Sequence, residues 1–253
     1  ALEIEGVTSA TVMVTAHAGD QAGMSVLSED DGPVTEKILE SKVRRFVAVA
    51  SGKGGVGKST TAVNQAIALR LEGLRVGLLD ADVYGPSQPR MLGVSGRPAS
   101  AGGDMVKPLE SYGVHLMSMG LLVPDDTAMI WRGPMVTSAL QQLLGDTLWG
   151  PLDYLIIDLP PGTGDIQLTL AQKVPVAGAV IVTTPQDIAL IDARRAVNMF
   201  RKVDVPVLGV VENMSTHICT ACGHEEAIFG SGGGEQMATD FEIPLLGRLP
   251  LAM

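Results

Sequence analysis

The run Gly52-Lys53-Gly54-Gly55-Val56-Gly57-Lys58-Ser59-Thr60 lies between the apolar segment Phe46-Val47-Ala48-Val49-Ala50 and the stretch Thr61 to Leu71. The segment before it is short, apolar and partly β-branched, the pattern of a buried strand. The segment after it carries Ala62, Ala66 and Leu69 at helical spacing. The glycines between fit G-x-x-x-x-G-K-[ST], in which successive backbone N–H groups wrap phosphate oxygens. In that pattern Lys58 reaches the β- and γ-phosphates, and the Ser59 hydroxyl completes the coordination of Mg2+. The phosphates would sit at a helix N-terminus, where unpaired N–H groups and the helix dipole favour anions. A glycine turn that binds nothing is the bland alternative, and the agreement of strand, loop and helix argues against it.

A second lysine, Lys53, stands inside the loop, where backbone amides already line the cradle. Two lysines this close in an apolar setting repel one another, and a bound polyanion would relieve the repulsion. The run K-G-G-x-G-K-[ST] resembles the P-loop ATPases with a deviant Walker A motif, among them MinD, ParA, the nitrogenase iron protein and the Mrp/ApbC-type iron–sulfur carriers. The resemblance implies that Lys53 reaches across a homodimer interface to the partner's nucleotide. The alternative for Lys53 is a solvated loop charge.

The chain of 253 residues is 46% hydrophobic, enough for one sizeable α/β domain. Its formal charge of −10 argues against nonspecific nucleic-acid binding, which neutralises phosphates with Lys and Arg. No apolar stretch approaches the ~20 residues that span a bilayer. Two cysteines, Cys219 and Cys222, are too few for a disulfide framework. A cytoplasmic protein without nucleic-acid or membrane partners is the expectation.

From Arg45 onward strand-like and helix-like segments alternate. Strands are expected at 46–50, 75–80, 114–118, 153–158, 177–183, 206–211 and 245–248, with amphipathic stretches such as 134–144 and 188–203 between them. This predicts a doubly wound, mostly parallel α/β sheet with helices on both faces, the fold of the MinD-like (SIMIBI) P-loop NTPases that the motif resembles. Nucleotide then belongs at the carboxyl ends of the strands. The alternating run 11–15 and the Gly/Ser/acidic stretch 16–33 cannot form a domain alone. Residues 1–34 are therefore expected to be the remnant of a preceding small domain plus linker. They are similar to the last strand of the small domain that precedes the ATPase in many Mrp-type proteins. Residues 35–253 are expected to form the ATPase domain, truncated at its C-terminus.

Leu155-Ile156-Ile157-Asp158 is an apolar strand delivering a carboxylate at its end, so Asp158 would lie near Mg2+. The Pro/Gly-rich stretch from Leu159 to Asp165 resembles the family's second switch. Asp80 and Asp82 close the segment 75–80 and enter Val83-Tyr84-Gly85-Pro86-Ser87, which resembles the first switch. The resemblance implies that Asp82 positions the attacking water and Asp80 supports the metal, with the division between them open. Helix N-capping is the alternative for each strand-end Asp. Asn213 ends the expected strand from Pro206, and the resemblance assigns it to the adenine edge, hence ATP.

Thr216-His217-Ile218-Cys219-Thr220-Ala221-Cys222-Gly223-His224 places two thiolates where they can grip one metal edge, with Gly223 relieving crowding in the turn. Taken alone the pair leaves open structural zinc, a redox disulfide, inert thiols, or a site completed by His217 or His224. Zinc in one chain wants four ligands, and these histidines lie too near the thiols for easy tetrahedral closure. In order, GKGGVGKST, DADVYGPS, DLPPGTGD, VENMS and CxxCG resemble the Mrp/ApbC (NUBP-type) iron–sulfur cluster carriers over roughly residues 43–250. That resemblance implies ATP hydrolysis, two thiolates from each subunit of a homodimer around one 4Fe–4S cluster, and apo iron–sulfur proteins as acceptors. Zinc can take the same four thiolates. The competing readings are a ParA- or MinD-type positioning ATPase and a nucleotide-gated structural zinc dimer, and neither positioning ATPase needs Cys219 and Cys222.

Overall fold

The computed structural model describes residues 42–122 and 133–251. The expected strand at 11–15, the linker at 16–33 and the domain boundary at 34/35 lie outside them. The phosphate-loop strand is β1 (Phe46–Ala50), followed by helix α1 (Lys58–Leu71), β2 (Val76–Asp80) and a short α2 (Gln88–Met91). Four strands come next: β3 (Ser100–Gly102), β4 (Met105–Val106), β5 (Leu109–Ser111) and β6 (Val114–Ser118). Beyond a 3-10 turn at Met119–Leu121 lie α3 (Gly133–Gly145), β7 (Tyr154–Asp158), α4 (Asp165–Lys173), β8 (Val176–Thr183) and α5 (Asp187–Lys202). The long β9 (Val207–Ile218), β10 (Glu225–Glu226), α6 (Gly233–Asp240) and β11 (Leu245–Leu251) complete the described chain.

Nine strands form one sheet in the order β10-β9-β8-β1-β7-β2-β6-β5, with β11 also paired to β9. Strands β6, β2, β7, β1, β8, β9 and β11 run parallel, while β5 and β10 add antiparallel pairs. The alternation along β1 explains why both faces need cover. Phe46, Ala48 and Ala50 enter a core closed by α3, α4, α5 and α6. Val47 and Val49 enter a second core closed by Ala62, Val63 and Ala66 of α1. The sheet is thus the expected mostly parallel α/β sheet with helices on both faces.

Register decides where the site falls. Asp80 and Asp158 are Cα partners across the parallel pair β2–β7, so their side chains emerge side by side at the strand ends. Chain order runs from β1 across to β2, whereas β8 lies on the other side of β1. The phosphate loop therefore opens at the point where strand order reverses, the crevice that open α/β sheets use for ligands.

Two expectations need correction. Asn213 does not end its strand: β9 continues to Ile218, passing a kink where Met214 adopts φ 54°. Backbone pairing with β11 and β10 sustains this stretch despite its polar residues. The short strands β3, β4, β5 and β10 were not expected; β3 and β4 pair with each other in a separate two-stranded sheet, while β5 and β10 lie at the ends of the large sheet's strand order.

Candidate nucleotide site and cysteine hairpin

The loop from Ser51 to Gly57 is tied down on three sides. Gly162 donates its N–H to the Ser51 carbonyl at 2.9 Å, joining the loop to the stretch after β7. A Cβ on Gly52 would fall 2.1 Å from the Asp192 backbone of α5, so only glycine permits this approach. Gly57 adopts φ +84°, and a Cβ there would fall 2.1 Å from Asn213 Nδ2. At the mouth, by contrast, Cβ atoms on Gly54 and Gly55 would meet nothing within 4 Å. Helix α1 begins with Gly57 as N-cap, without a side-chain cap and without an acidic residue in its first turn. Its leading N–H groups and dipole are left to an anion.

Behind the loop, Lys58 is buried and paired. Its Nζ donates to Asp158 Oδ1 at 2.5 Å and to Ser59 Oγ at 3.2 Å, and lies 3.8 Å from Asp82 Oδ2. Lys53 is exposed on the rim. Contrary to the expectation from sequence, the two lysines are therefore not a repelling pair in an apolar setting: carboxylates neutralise Lys58 and solvent screens Lys53. Thr60 is exposed and Ser59 half-buried at the helix start, beside the exposed stretch Lys53–Gly55.

The carboxylates outnumber the cation. Asp80 is fully buried and accepts from Asp82 N, Ser87 N, Gln88 N and Ser118 Oγ at 3.0–3.2 Å. Burial, and after it the charge of Asp158, still pushes its pKa up from 3.8 to about 7. Burial also raises the Asp82 carboxyl, with Asp158 adding to the rise and Lys58 opposing it. Three carboxylates around one ammonium in low dielectric would carry two net negative charges if all were ionised. Among the described residues no three carboxylates are grouped to hold a metal by themselves, so Mg2+ here would rest on one or two of them together with phosphate oxygens and water. Asp82 itself lies two residues past β2, at the edge of a cavity of about 260 Å3 lined also by Tyr84, Pro160, Pro161 and Gln167. Gln167 holds that wall by donating to the Pro160 and Pro161 carbonyls at 3.1 and 2.8 Å.

Asn213 donates from Nδ2 to the Val56 carbonyl at 2.9 Å, so it holds the phosphate loop as well as bordering it. The strand then carries the chain away to the cysteines. Six residues at ~3.3 Å each put Cys219 at most about 20 Å from Asn213, and the left-handed Met214 shortens that span. Cys219 N donates to His224 O at 2.9 Å and Gly223 N to Cys219 O at 2.8 Å, closing a tight turn between β9 and β10. Gly223 has φ +71°, and a Cβ there would meet nothing within 4 Å. Its role is the left-handed backbone, not relief of crowding. The N–H groups of Cys222 and Ala221 and the Cys222 side chain lower the Cys219 thiol below its ordinary pKa. Cys222 is exposed and Cys219 partly so. Among the described residues no third His, Cys, Asp or Glu, His217 and His224 included, joins them in a group able to hold a metal.

Three residues were not singled out by pattern. Gln88 donates from Nε2 to Asp158 Oδ2 and to the Ser59 carbonyl. Ser118 donates to Asp80. Glu212 is buried and accepts from Gly234 N at the start of α6 at 2.5 Å, as its own neighbour Asn213 serves the phosphate loop. Each is a lone polar residue with no periodicity to mark it; only adjacency to Asp80–Asp82, to the end of β6 or to Asn213 could have drawn attention.

A glycine loop at the switch point of a parallel sheet, with strand-end carboxylates beside its lysine, defines a P-loop nucleotide-binding protein. The chain belongs to the ParA family of NUBPL iron-transfer P-loop NTPases, whose family model matches residues 42–253. It is 63% identical over 215 residues to an iron-sulfur cluster carrier protein of Pseudomonas fragi, covering 84% of this chain and 75% of that one. An iron-sulfur cluster carrier protein of Escherichia coli (strain K12) is 62% identical over 210 residues, 83% of this chain and 57% of that one. This chain thus spans little more than half of the latter relative's length. Among solved structures, a nucleotide-binding protein from Archaeoglobus fulgidus in complex with ADP, with Co found by PIXE, matches with TM-score 0.76 and 37% identity over 86% of this chain and 87% of that one. Among the described residues no helix is long and apolar enough to cross a membrane.

Proposed function

We propose that the chain is an ATP-hydrolysing iron–sulfur cluster carrier that holds a 4Fe–4S cluster between two copies of itself and passes it to apo-proteins. The observation that carries this reading is the cysteine hairpin: two partly exposed thiols, one with a lowered pKa, and no third ligand beside them among the described residues. Half a ligand set at the surface suits a cluster completed by a second subunit, and surface thiolates suit a cargo that must leave. The names of the P. fragi and E. coli relatives support the same cargo.

In this reading Gly52, Lys53, Gly54, Gly55, Val56, Gly57, Lys58, Ser59 and Thr60 hold the phosphates, and Asn213 selects adenine with its remaining amide hydrogen and carbonyl. Mg2+, held by Ser59 with Asp158 and Asp80, would neutralise charge on the β- and γ-phosphates. Lys58 exchanges Asp158 for phosphate, Asp82 orients water, and exposed Lys53 reaches the partner's nucleotide. Because β9 carries both Asn213 and the hairpin, a change at the loop has a direct covalent route to the cysteines.

Anaerobic iron and sulfide reconstitution, with a visible spectrum and metal analysis, tests the proposal. One cluster per two chains is expected for the wild type. Cys219→Ala and Cys222→Ala should each lose it while binding ADP as before, since the cysteines lie six and nine residues beyond Asn213 along the chain. Wild type that retains only zinc, or either variant with a full complement of iron and sulfide, would overturn the carrier reading.

A further inference from the structure

Gln88 touches every residue assigned above to the metal. Its backbone N–H donates to Asp80 Oδ2 at 3.0 Å, and its side-chain Nε2 donates to Asp158 Oδ2 at 2.8 Å and to the Ser59 carbonyl at 3.0 Å. The residue is fully buried, and its Oε1 is a buried oxygen without a hydrogen-bond partner. Turning the amide over cannot mend this, because Oε1 would then face a carboxylate and a carbonyl, both acceptors. A buried acceptor left without a partner keeps its desolvation penalty uncompensated. A glutamine serving only to fill the core would not carry that cost, and an apolar side chain of similar volume would pack there without it.

We infer that Gln88 is a positioning residue of the nucleotide–metal site, a strut that fixes Asp158 relative to Ser59 and offers Oε1 to a water of the metal's hydration shell. The inference rests on the ATP–Mg2+ reading above and adds a residue to it. Asp158 shares its two oxygens between Lys58 and Gln88. When Lys58 turns to phosphate, Gln88 remains as the anchor, so the carboxylate keeps its place while the ammonium leaves. Mg2+ demands near-octahedral geometry and retains several waters, which makes both the fixed carboxylate and a fixed acceptor for a bound water useful. Groups that orient metal ligands in this way typically contribute about 10–100-fold to metal affinity.

The test separates binding of nucleotide from binding of metal. Calorimetric ADP affinity is measured in EDTA and in Mg2+ for wild type and for Gln88→Met, which keeps length and volume but removes both polar atoms. Equal affinity in EDTA is expected for the two proteins, with the gain brought by Mg2+ at least about tenfold smaller in the variant. A second readout on the wild type does not depend on the variant folding: the Gln88 side-chain amide resonances should shift when Mg2+ is added to the ADP complex. If wild type gains nothing from Mg2+, the nucleotide–metal reading itself falls. If wild type gains and Gln88→Met keeps the whole gain, or the amide resonances stay still, the role of Gln88 alone is refuted.

Discussion

Lys58 and Asp158 form a pair whose two members have opposite needs. With relative exposures of 6% and 0%, neither can be left single without a desolvation penalty. Before nucleotide arrives the lysine stabilises the carboxylate; afterwards the phosphates and the metal would divide them. On the proposed reading the same bond that aligns the site would oppose its loading, and Gln88 would limit the loss by staying with Asp158. Lys58→Ala should destabilise the nucleotide-free protein by about 3–5 kcal/mol, the usual cost of removing one partner of a buried ion pair. The Lys58→Ala/Asp158→Asn double variant should regain part of that, because the orphaned charge is gone. Urea denaturation of the four proteins measures the cycle. A double variant no more stable than Lys58→Ala would mean that the pair does not govern local stability.

At the scale of elements, the loop and β9 are fitted to each other through Gly57 and Asn213. Gly57→Ala imposes a left-handed conformation on a residue with a Cβ, costing about 1–2 kcal/mol. It also displaces the Asn213 amide, 2.1 Å from the new atom, and so breaks the bond to Val56 O. That bond is worth about 0.5–1.5 kcal/mol more. In an Asn213→Ala background only the backbone term should remain, so the glycine change should cost less there; equal costs in both backgrounds would show that the contact is immaterial. How far such fitting can be read from sequence depends on whether a residue belongs to a pattern. Strands β1, β2, β6, β7 and β8 were legible within a residue because each is an apolar run ended by turn residues. The far half of β9 was not: Glu212 to His217 reads as polar, and what makes it strand is its pairing with β11 and β10. The carboxylates were legible from their places at strand ends, but not the Asp80–Asp158 register that sets them side by side, nor the bridge that Gln88, at the start of α2, makes to Asp158 and Ser59.

Across the whole molecule, the sheet separates what holds the fold from what works on ligand. The carboxyl ends of β2 and β7 carry Asp80 and Asp158, while at their amino ends Asp153 is clamped by Arg75. Arg75 Nη2 donates to Asp153 Oδ1 at 2.9 Å, its Nε and backbone N each donate to Oδ2 at 3.0 Å, and Arg44 Nη1 adds a bond at 3.3 Å. Five-residue strands put about 13 Å between the two ends. The clamp joins the entries to β1, β2 and β7, three strands whose sequence separation exceeds a hundred residues at its widest. The Arg75 side-chain and backbone hydrogen bonds, foremost among the causes, hold the Asp153 carboxyl well below its ordinary pKa of 3.8. A group so depressed binds fewer protons in the folded than in the unfolded chain, so its stabilisation is complete above the ordinary value and is lost as pH falls below it. Asp153→Asn should therefore lower the melting temperature at neutral pH, and the gap to wild type should narrow steadily as pH drops below about 4. ADP affinity at neutral pH should not change, since the substitution lies at the far end of the strands. A gap that persists undiminished into acid would remove the ion pair as the cause. A loss of ADP affinity in the folded variant would mean instead that strain crosses the sheet, and that its two ends are not independent.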